Sequence, residues 1–527
     1  MVIVLFRLCL VFLQTALFSS AGNYSALPSW QLLLLPIFAV IAIIAVAKIT
    51  GFKHYRMGIP FVIHRFKIYY GHIPFATSVN QFFGGVLALA SGFVVGKEGP
   101  TVHLAAAASH YVGRWFSLPF NSLRILAGCG IAAGIAAAFN TPFAAVIFVM
   151  EVVMREYKVH IFVPVMLAAA CGSVVTRVVF GDYAELNFFV FQAMSYWQLP
   201  MLVLLGISLG ILASLFNKHL MFTMKLFRPV GMVIRLLLAG VISGLVAYFM
   251  PHALGAEFVN VSNIIATTPV LGELLIIFIA KFFLAIVAIA LGVPGGIIGA
   301  VMVIGMLAGC IFLTSLGYLV DMDDLTANYT LLGLAGFLAA VLHAPMAAIT
   351  AVMELSSTQA IILPALITVV SAYVTSKQLC NNRSIFIQQL EYQDLPYTTT
   401  AIRDVLQDTG VMALMRCDLH IMDNANDADL YAYLQDHPEQ LLVAKQHNTD
   451  GAIWQLVSLD ISLQENAYPI TLHNMTLLSQ QNTLAEVYEL LYKQRQGAVA
   501  ITSTQHQGVC GLITWNMLHT YLLRQQH

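Results

Sequence analysis

Charge is scarce in this chain. Only 10% of its 527 residues are Asp, Glu, Lys or Arg, against about 25% in an ordinary soluble domain. Hydrophobic residues make up 59%, and mean hydropathy is +0.81. A water-soluble globule of this length cannot bury so much apolar surface, so lipid is the natural solvent for the excess. Paired cysteines are missing as well. The seven stand singly, at 9, 129, 171, 310, 380, 417 and 510, which indicates neither a disulfide framework nor a structural zinc site. HExxH and GxxxxGK[ST] do not occur, removing the commonest zinc-protease and P-loop readings.

The charge that is present is uneven. Residues 398–527 hold 13 of the 26 acidic side chains against six basic ones, Arg403, Arg416, Lys445, Lys493, Arg495 and Arg524. The first 397 residues are therefore net +6 and the rest net −7. That shift predicts a membrane domain over 1–392 followed by a soluble tail over 398–527. Before it, apolar stretches recur from 1–20 to 358–378. Several approach the roughly 20 residues that cross a bilayer, and others are shorter or broken by Gly and Pro. Transporters and channels use such broken spans when half-helices must end inside the membrane around a polar site. Residues 1–20, with a lone Arg7, read better as an uncleaved first helix than as a cleaved secretory signal.

Two segments repeat. GIAAAFNTPFAAVIFVME ends at Glu151 and GFLAAVLHAPMAAITAVME at Glu354. In both, a proline (Pro142, Pro345) precedes the glutamate by nine residues, with Asn140 or His343 two before it. Upstream, Gly96-Lys97-Glu98-Gly99 corresponds to Gly296-Ile297-Ile298-Gly299. Two similar halves predict inverted repeats meeting at a midplane site.

The chemistry gathers at glycine-rich turns. Gly96-Lys97-Glu98-Gly99-Pro100 opens an apolar helix: glycines admit a ligand to the backbone amides, and Pro100 suits a first turn. A helix N-terminus carries partial positive charge and binds anions. Glu98 is itself an anion there, able to hold the site and to leave it when protonated or displaced. The bland alternative is a capping carboxylate paired with Lys97 or another cation. Met57-Gly58-Ile59-Pro60, after the basic stretch Lys53 to Arg56, and Val293 to Gly299 have the same design. Three such N-termini predict a dehydrated anion site built from amides. From 398 on, 441–446, 454–460, 497–503 and 508–514 read as strands, and 483–494 and 515–525 as amphipathic helices. This spacing predicts a strand–strand–helix unit used twice.

In these segments the sequence resembles the CLC chloride channel and transporter family. GKEGP at 96–100 looks like its signature. AAFNTPFAAVIFVME, PGGII at 294–298, LAAVLHAPMAAITAVMEL at 338–355 and SIFIQQLEYQDLPY at 384–397 follow in family order. The tail resembles a pair of CBS modules, near 411–466 and 469–524. The resemblance implies an α-helical polytopic membrane protein of two inverted repeats with tilted, broken helices, plus a small soluble α/β module. It implies a homodimer in the cell (inner) membrane with a chloride path in each subunit, surrounded by lipid, with no nucleic-acid partner and no cofactor. Modules like the tail often bind adenine nucleotides and often bind nothing. Glu98 falls on the family's gating glutamate, the amides of Lys97, Glu98 and Gly99 on an outer anion site, and those of Ile297 and Ile298 on a central one.

Three positions depart from the pattern. Arg56-Met57-Gly58-Ile59-Pro60 stands where GSGIP is common, so Met57 replaces a serine hydroxyl. Phe386 stands where tyrosine is usual. Val152 takes the place of the inner glutamate of proton-coupled members. These departures predict a passive, Glu98-gated anion channel. The competing expectation is a proton–chloride antiporter with Glu151 or Glu156 as relay. A membrane-bound enzyme or sensor is the reading from another class, but His103, His110, His160 and His343 are widely spaced and form no catalytic cluster.

Overall fold

Apolar length and small residues decide the helices of the first 397 residues. They run α1 (Val2–Leu17), α2 (Ser29–Ile49), α3 (Gly58–Ile68), α4 (Phe75–Ala90), α5 (Glu98–Trp115), α6 (Phe120–Phe139), α7 (Pro142–Phe148), α8 (Val159–Phe180) and α9 (Leu199–Leu226). Then follow α10 (Met232–Phe249), α11 (Phe258–Thr267), α12 (Leu271–Leu291), α13 (Ile298–Gly317), α14 (Thr326–Leu342), α15 (Pro345–Ser356), α16 (Ile362–Val374) and α17 (Ile385–Tyr392). This is a computed structural model, and it describes residues 1–18, 24, 27–52, 58–181, 186, 189–192, 194, 196–267, 270–317, 325–397, 401–448, 451–460, 468–503 and 508–525. Contacts divide the chain into one unit of Met1–Val112 with Ile125–Tyr397, and a second of Gly113–Arg124 with Thr398–His527.

Among the described residues, eight helical stretches are long and apolar enough to cross a bilayer, while α1, α4, α14, α15 and the run Pro142–Met154 are shorter. The first unit is thus a polytopic membrane fold of full spans and half-spans, as the sequence predicts. Lipid gives no hydrophobic drive between helices, so close backbone approach must hold them together. Three G-x-x-x-G pairs supply it. Gly305 and Gly309 of α13 lie on α14, Gly206 and Gly210 of α9 on Thr368, Ser371, Ala372 and Thr375, and Gly240 and Gly244 of α10 on Leu33 and Pro36 of α2. At the centre, α14 is buried on every face from Asn328 to Leu342. Buried charge is satisfied locally: Lys281, fully buried on α12, donates to the carbonyls of Leu254 and Gly255 at 2.8 and 2.9 Å.

The repeat has a structural counterpart. Asn140 ends α6 and His343 ends α14, both left-handed at φ 56° and 58°, a conformation that Asn and His tolerate better than branched residues do. Two residues later Pro142 and Pro345 start α7 and α15 at the position where proline costs no hydrogen bond. The α7 helix then loosens into a π-turn over Val149–Met154.

The second unit contains α18 (Ala401–Gln407), β1 (Leu419–Asp423), α19 (Asp427–Asp436), β2 (Leu441–Asn448), β3 (Gly451–Leu459), β4 (Ile470–Asn474), β5 (Thr476–Ser479), α20 (Leu484–Leu491), β6 (Ala498–Thr502), β7 (Val509–Thr514) and α21 (Trp515–Gln525). Sheet order is β1-β2-β3-β4 and β5-β6-β7, with β1/β2 and β5/β6 parallel and β2/β3 and β6/β7 antiparallel. The repeating unit is therefore strand–helix–strand–strand, which corrects the strand–strand–helix expectation. β1 is short with mixed exposure and α19 buries only Leu430 and Leu434, so neither carries a strong apolar pattern and the helices of the sequence pattern follow their strands. Thr483 and Glu486 cap α20 reciprocally, each accepting a bond at its N-terminus.

Candidate anion site

The two glycine-rich turns meet antiparallel. Gly96 N–H donates to Gly296 O at 2.7 Å, and Gly296 N–H to Gly96 O at 2.6 Å. From this bridge α5 leaves at Glu98 and α13 at Ile298, so two helix N-termini flank one point. Glu98 is only 2% exposed. Its carboxylate folds back into the space that side chains on Gly96, Gly296 and Gly299 would fill, which is why these positions carry none. Gly99 packs on the Gly295 carbonyl, and Pro100 on Gly85 of α4. The Lys97 ammonium lies 4.3 Å from the Phe139 ring centroid. That is a cation–π distance.

A third N-terminus arrives from α3. Gly58 is left-handed at φ 76°, and a Cβ built on it would stand 3.8 Å from Gly295 O. Gly58, Ile59, Pro60, Gly296, Ile297 and Phe386 line one cavity of about 330 Å³, with Arg228 and Arg235 also on its wall. Ile298 is buried at the start of α13. Arg56 and Met57 lie outside the described residues, so the exchange of serine for Met57 has no structural account. A smaller apolar cavity, about 50 Å³, touches Glu98, Phe139, Ala144, Phe148 and Ala347.

Three further carboxylates of the membrane unit have partners of their own. Glu151 accepts from the amides of Met346 and Ala347 at the start of α15, at 3.2 and 2.7 Å. Glu354 accepts from Phe143 and Ala144 at the start of α7, at 2.9 and 2.7 Å. Each repeat thus caps the other's helix with its own final glutamate, a reciprocal clasp that accounts for the matched Pro-to-Glu spacing. Glu156 pairs with Lys67 at 2.8 Å and Lys158 at 3.1 Å. Val152 is buried within the π-turn. Replacing Glu354 by Ala leaves the amides of Phe143 and Ala144 without their cap and should cost about 0.5–2 kcal/mol. Thermal unfolding in detergent reads this directly; an unchanged midpoint would show that the clasp holds nothing.

Antiparallel turns, crossed caps and, among the described residues, eight helical stretches long enough to span define a multi-pass integral membrane protein with two repeats joined around a buried carboxylate. The chain matches the family described as voltage gated chloride channel over residues 38–377 and belongs to it, a family of membrane anion transport proteins. It is 28% identical over 336 residues to the H(+)/Cl(-) exchange transporter ClcA of Vibrio parahaemolyticus, covering 60% of this chain and 72% of that protein. ClcA of Vibrio cholerae is 29% identical over 334 residues, with 60% and 71% covered. Among solved structures, a slow cyanobacterial Cl−/H+ antiporter aligns with TM-score 0.65 at 22% identity, over 74% of this chain and 95% of its own. A CLC-type fluoride/proton antiporter gives 0.62 at 22%, over 74% and 93%. A eukaryotic CLC transporter gives 0.60 at 17%, over 98% and 94%.

Proposed function

We propose that this chain exchanges small anions, chloride foremost, for protons, with Glu98 as the gate both ions share. The observation that carries this reading is the place of Glu98, folded between two antiparallel glycine turns where two helix N-termini meet. An anion would take the position the carboxylate holds. Once protonated, the carboxyl would turn into the apolar cavity beside Phe139 and Phe148. The amides of 97–99 serve an outer site, and those of Ile297 and Ile298 a central one that Gly58, Ile59, Pro60 and Phe386 help enclose. Arg56 and Met57 enter this assignment from the sequence alone. The exchange activity named for the Vibrio relatives supports the proton side. Of the two candidate relays Glu151 is occupied as a helix cap, which leaves Glu156 to carry the proton.

Passive permeation through the same gate is the second reading. Buried Val152 favours it, standing where the resemblance puts an inner proton site. One liposome experiment separates the two. In exchange, an imposed chloride gradient drives protons uphill, and Glu156→Gln stops the protons while chloride still moves. Chloride flux without any proton movement would overturn exchange and leave the channel. For the tail, the twice-used strand–helix–strand–strand unit supports a CBS-like pair, with adenine nucleotide as its candidate ligand. The whole is assigned as a homodimer in the cell membrane.

A further inference from the structure

We infer that the side-chain amide of Gln81 is a direct anion ligand of this pathway, an inference that rests on the anion-transport reading above. Gln81 sits on α4 and is fully buried. Neither its Nε2 nor its Oε1 has a hydrogen-bond partner among the described residues. Its neighbour Asn80 shows the ordinary case, donating to Thr50 Oγ1 at 2.6 Å and to Ala76 O at 2.8 Å. A buried amide without partners is costly, and native structures rarely keep one without a use for it.

The placement supplies the use. Gly84 and Gly85, three and four residues on, share the helix face of Gln81. That face is pressed against both anion turns: a Cβ on Gly84 would come within 2.8 Å of Pro294 Cγ, and one on Gly85 within 2.6 Å of Pro100 Cγ. Gln81 therefore reaches the cavity lined by Gly58, Ile59, Gly296 and Ile297, where Arg235 adds positive charge while Arg228 is paired with Asp394 of the same wall at 3.1 Å. The amide N–H₂ is the only neutral side-chain group that offers two donors from one nitrogen. Turned toward the cavity, it adds those donors to the backbone N–H groups. The ligand is a small, dehydrated monovalent anion, which takes N–H donors and needs no counter-cation.

Equilibrium chloride binding to the full-length protein in detergent, by calorimetry, tests this. Gln81→Leu should weaken chloride by at least about tenfold, since a hydrogen bond to a charged group is worth one to two decades. Gln81→His, measured at about pH 8 where an ordinary imidazole is neutral and keeps one N–H donor, should retain most of the binding, whereas Gln81→Met, uncharged and close to Gln in length but without an N–H donor, should lose it. A mere packing role would favour Met over His. Wild-type affinity in Gln81→Leu or in Gln81→Met overturns the assignment of Gln81 alone. Should Gln81→Leu fail to fold, the His and Met pair still decides the matter. A wild-type protein that binds no chloride overturns the transport reading as well.

Discussion

Glu98→Gln should run chloride at or above the wild-type rate, lose its pH dependence and move no protons. The amide is nearly isosteric with the protonated carboxyl but cannot carry a proton or compete as an anion for the amides of the two helix N-termini. In the wild type the carboxylate occupies the space between Gly96, Gly296 and Gly299, so flux must wait for it to leave. Acid favours the neutral form and should raise the flux, provided that proton supply is not limiting. The neutral variant has already made that transition. Chloride efflux measured from about pH 4 to pH 8 should slope for the wild type and be flat for the variant; that window brackets ordinary carboxyl titration. Two superimposable sloping profiles would remove Glu98 from the gate.

The second large effect is structural. Gly309→Val should leave no stable membrane unit, because the new Cβ would overlap the Tyr329 carbonyl and approach Gly333 Cα at 3.0 Å. Both are backbone, on the fully buried α14, and cannot swing aside. Forcing α13 and α14 apart gives up the close contact that replaces the hydrophobic drive in lipid. Overpacking of this kind costs about 3 kcal/mol or more. Size-exclusion profiles and thermal unfolding in detergent check this. A monodisperse variant with the wild-type midpoint would mean that α13 and α14 have room the distances deny.

Much of this was legible in the residues, and the limits have physical causes. Glycine turns and helix-starting prolines are local signals, so Gly96 to Pro100, Gly296 to Gly299 and the Pro142 and Pro345 starts could be read directly. The spacing from each proline to Glu151 or Glu354 was visible too. Its purpose was not, because each carboxylate caps a helix in the other half of the chain and no local pattern encodes that pairing. Gln81 gave still less warning. As one of two adjacent amides in FATSVNQFFGGVLALA, it resembles any polar residue tucked into a helix bundle. Only the two glycines after it hinted at a face meeting something closely. In the tail, β1, β4 and β5 are four or five residues long with mixed exposure, too short for alternation to register. The α19 helix reads DADLYAYLQD, with Leu430 and Leu434 its only buried side chains. Two apolar positions make a faint stripe.

The central claim is that this chain carries anions across a membrane past Glu98. Chloride release from proteoliposomes, recorded with a chloride electrode after the opposing voltage is shunted by a potassium ionophore, tests it most directly. The account predicts rapid release well above that of protein-free vesicles, absent before the ionophore is added because the movement is electrogenic. Release no faster than from empty vesicles, by a preparation shown to be folded, would contradict it.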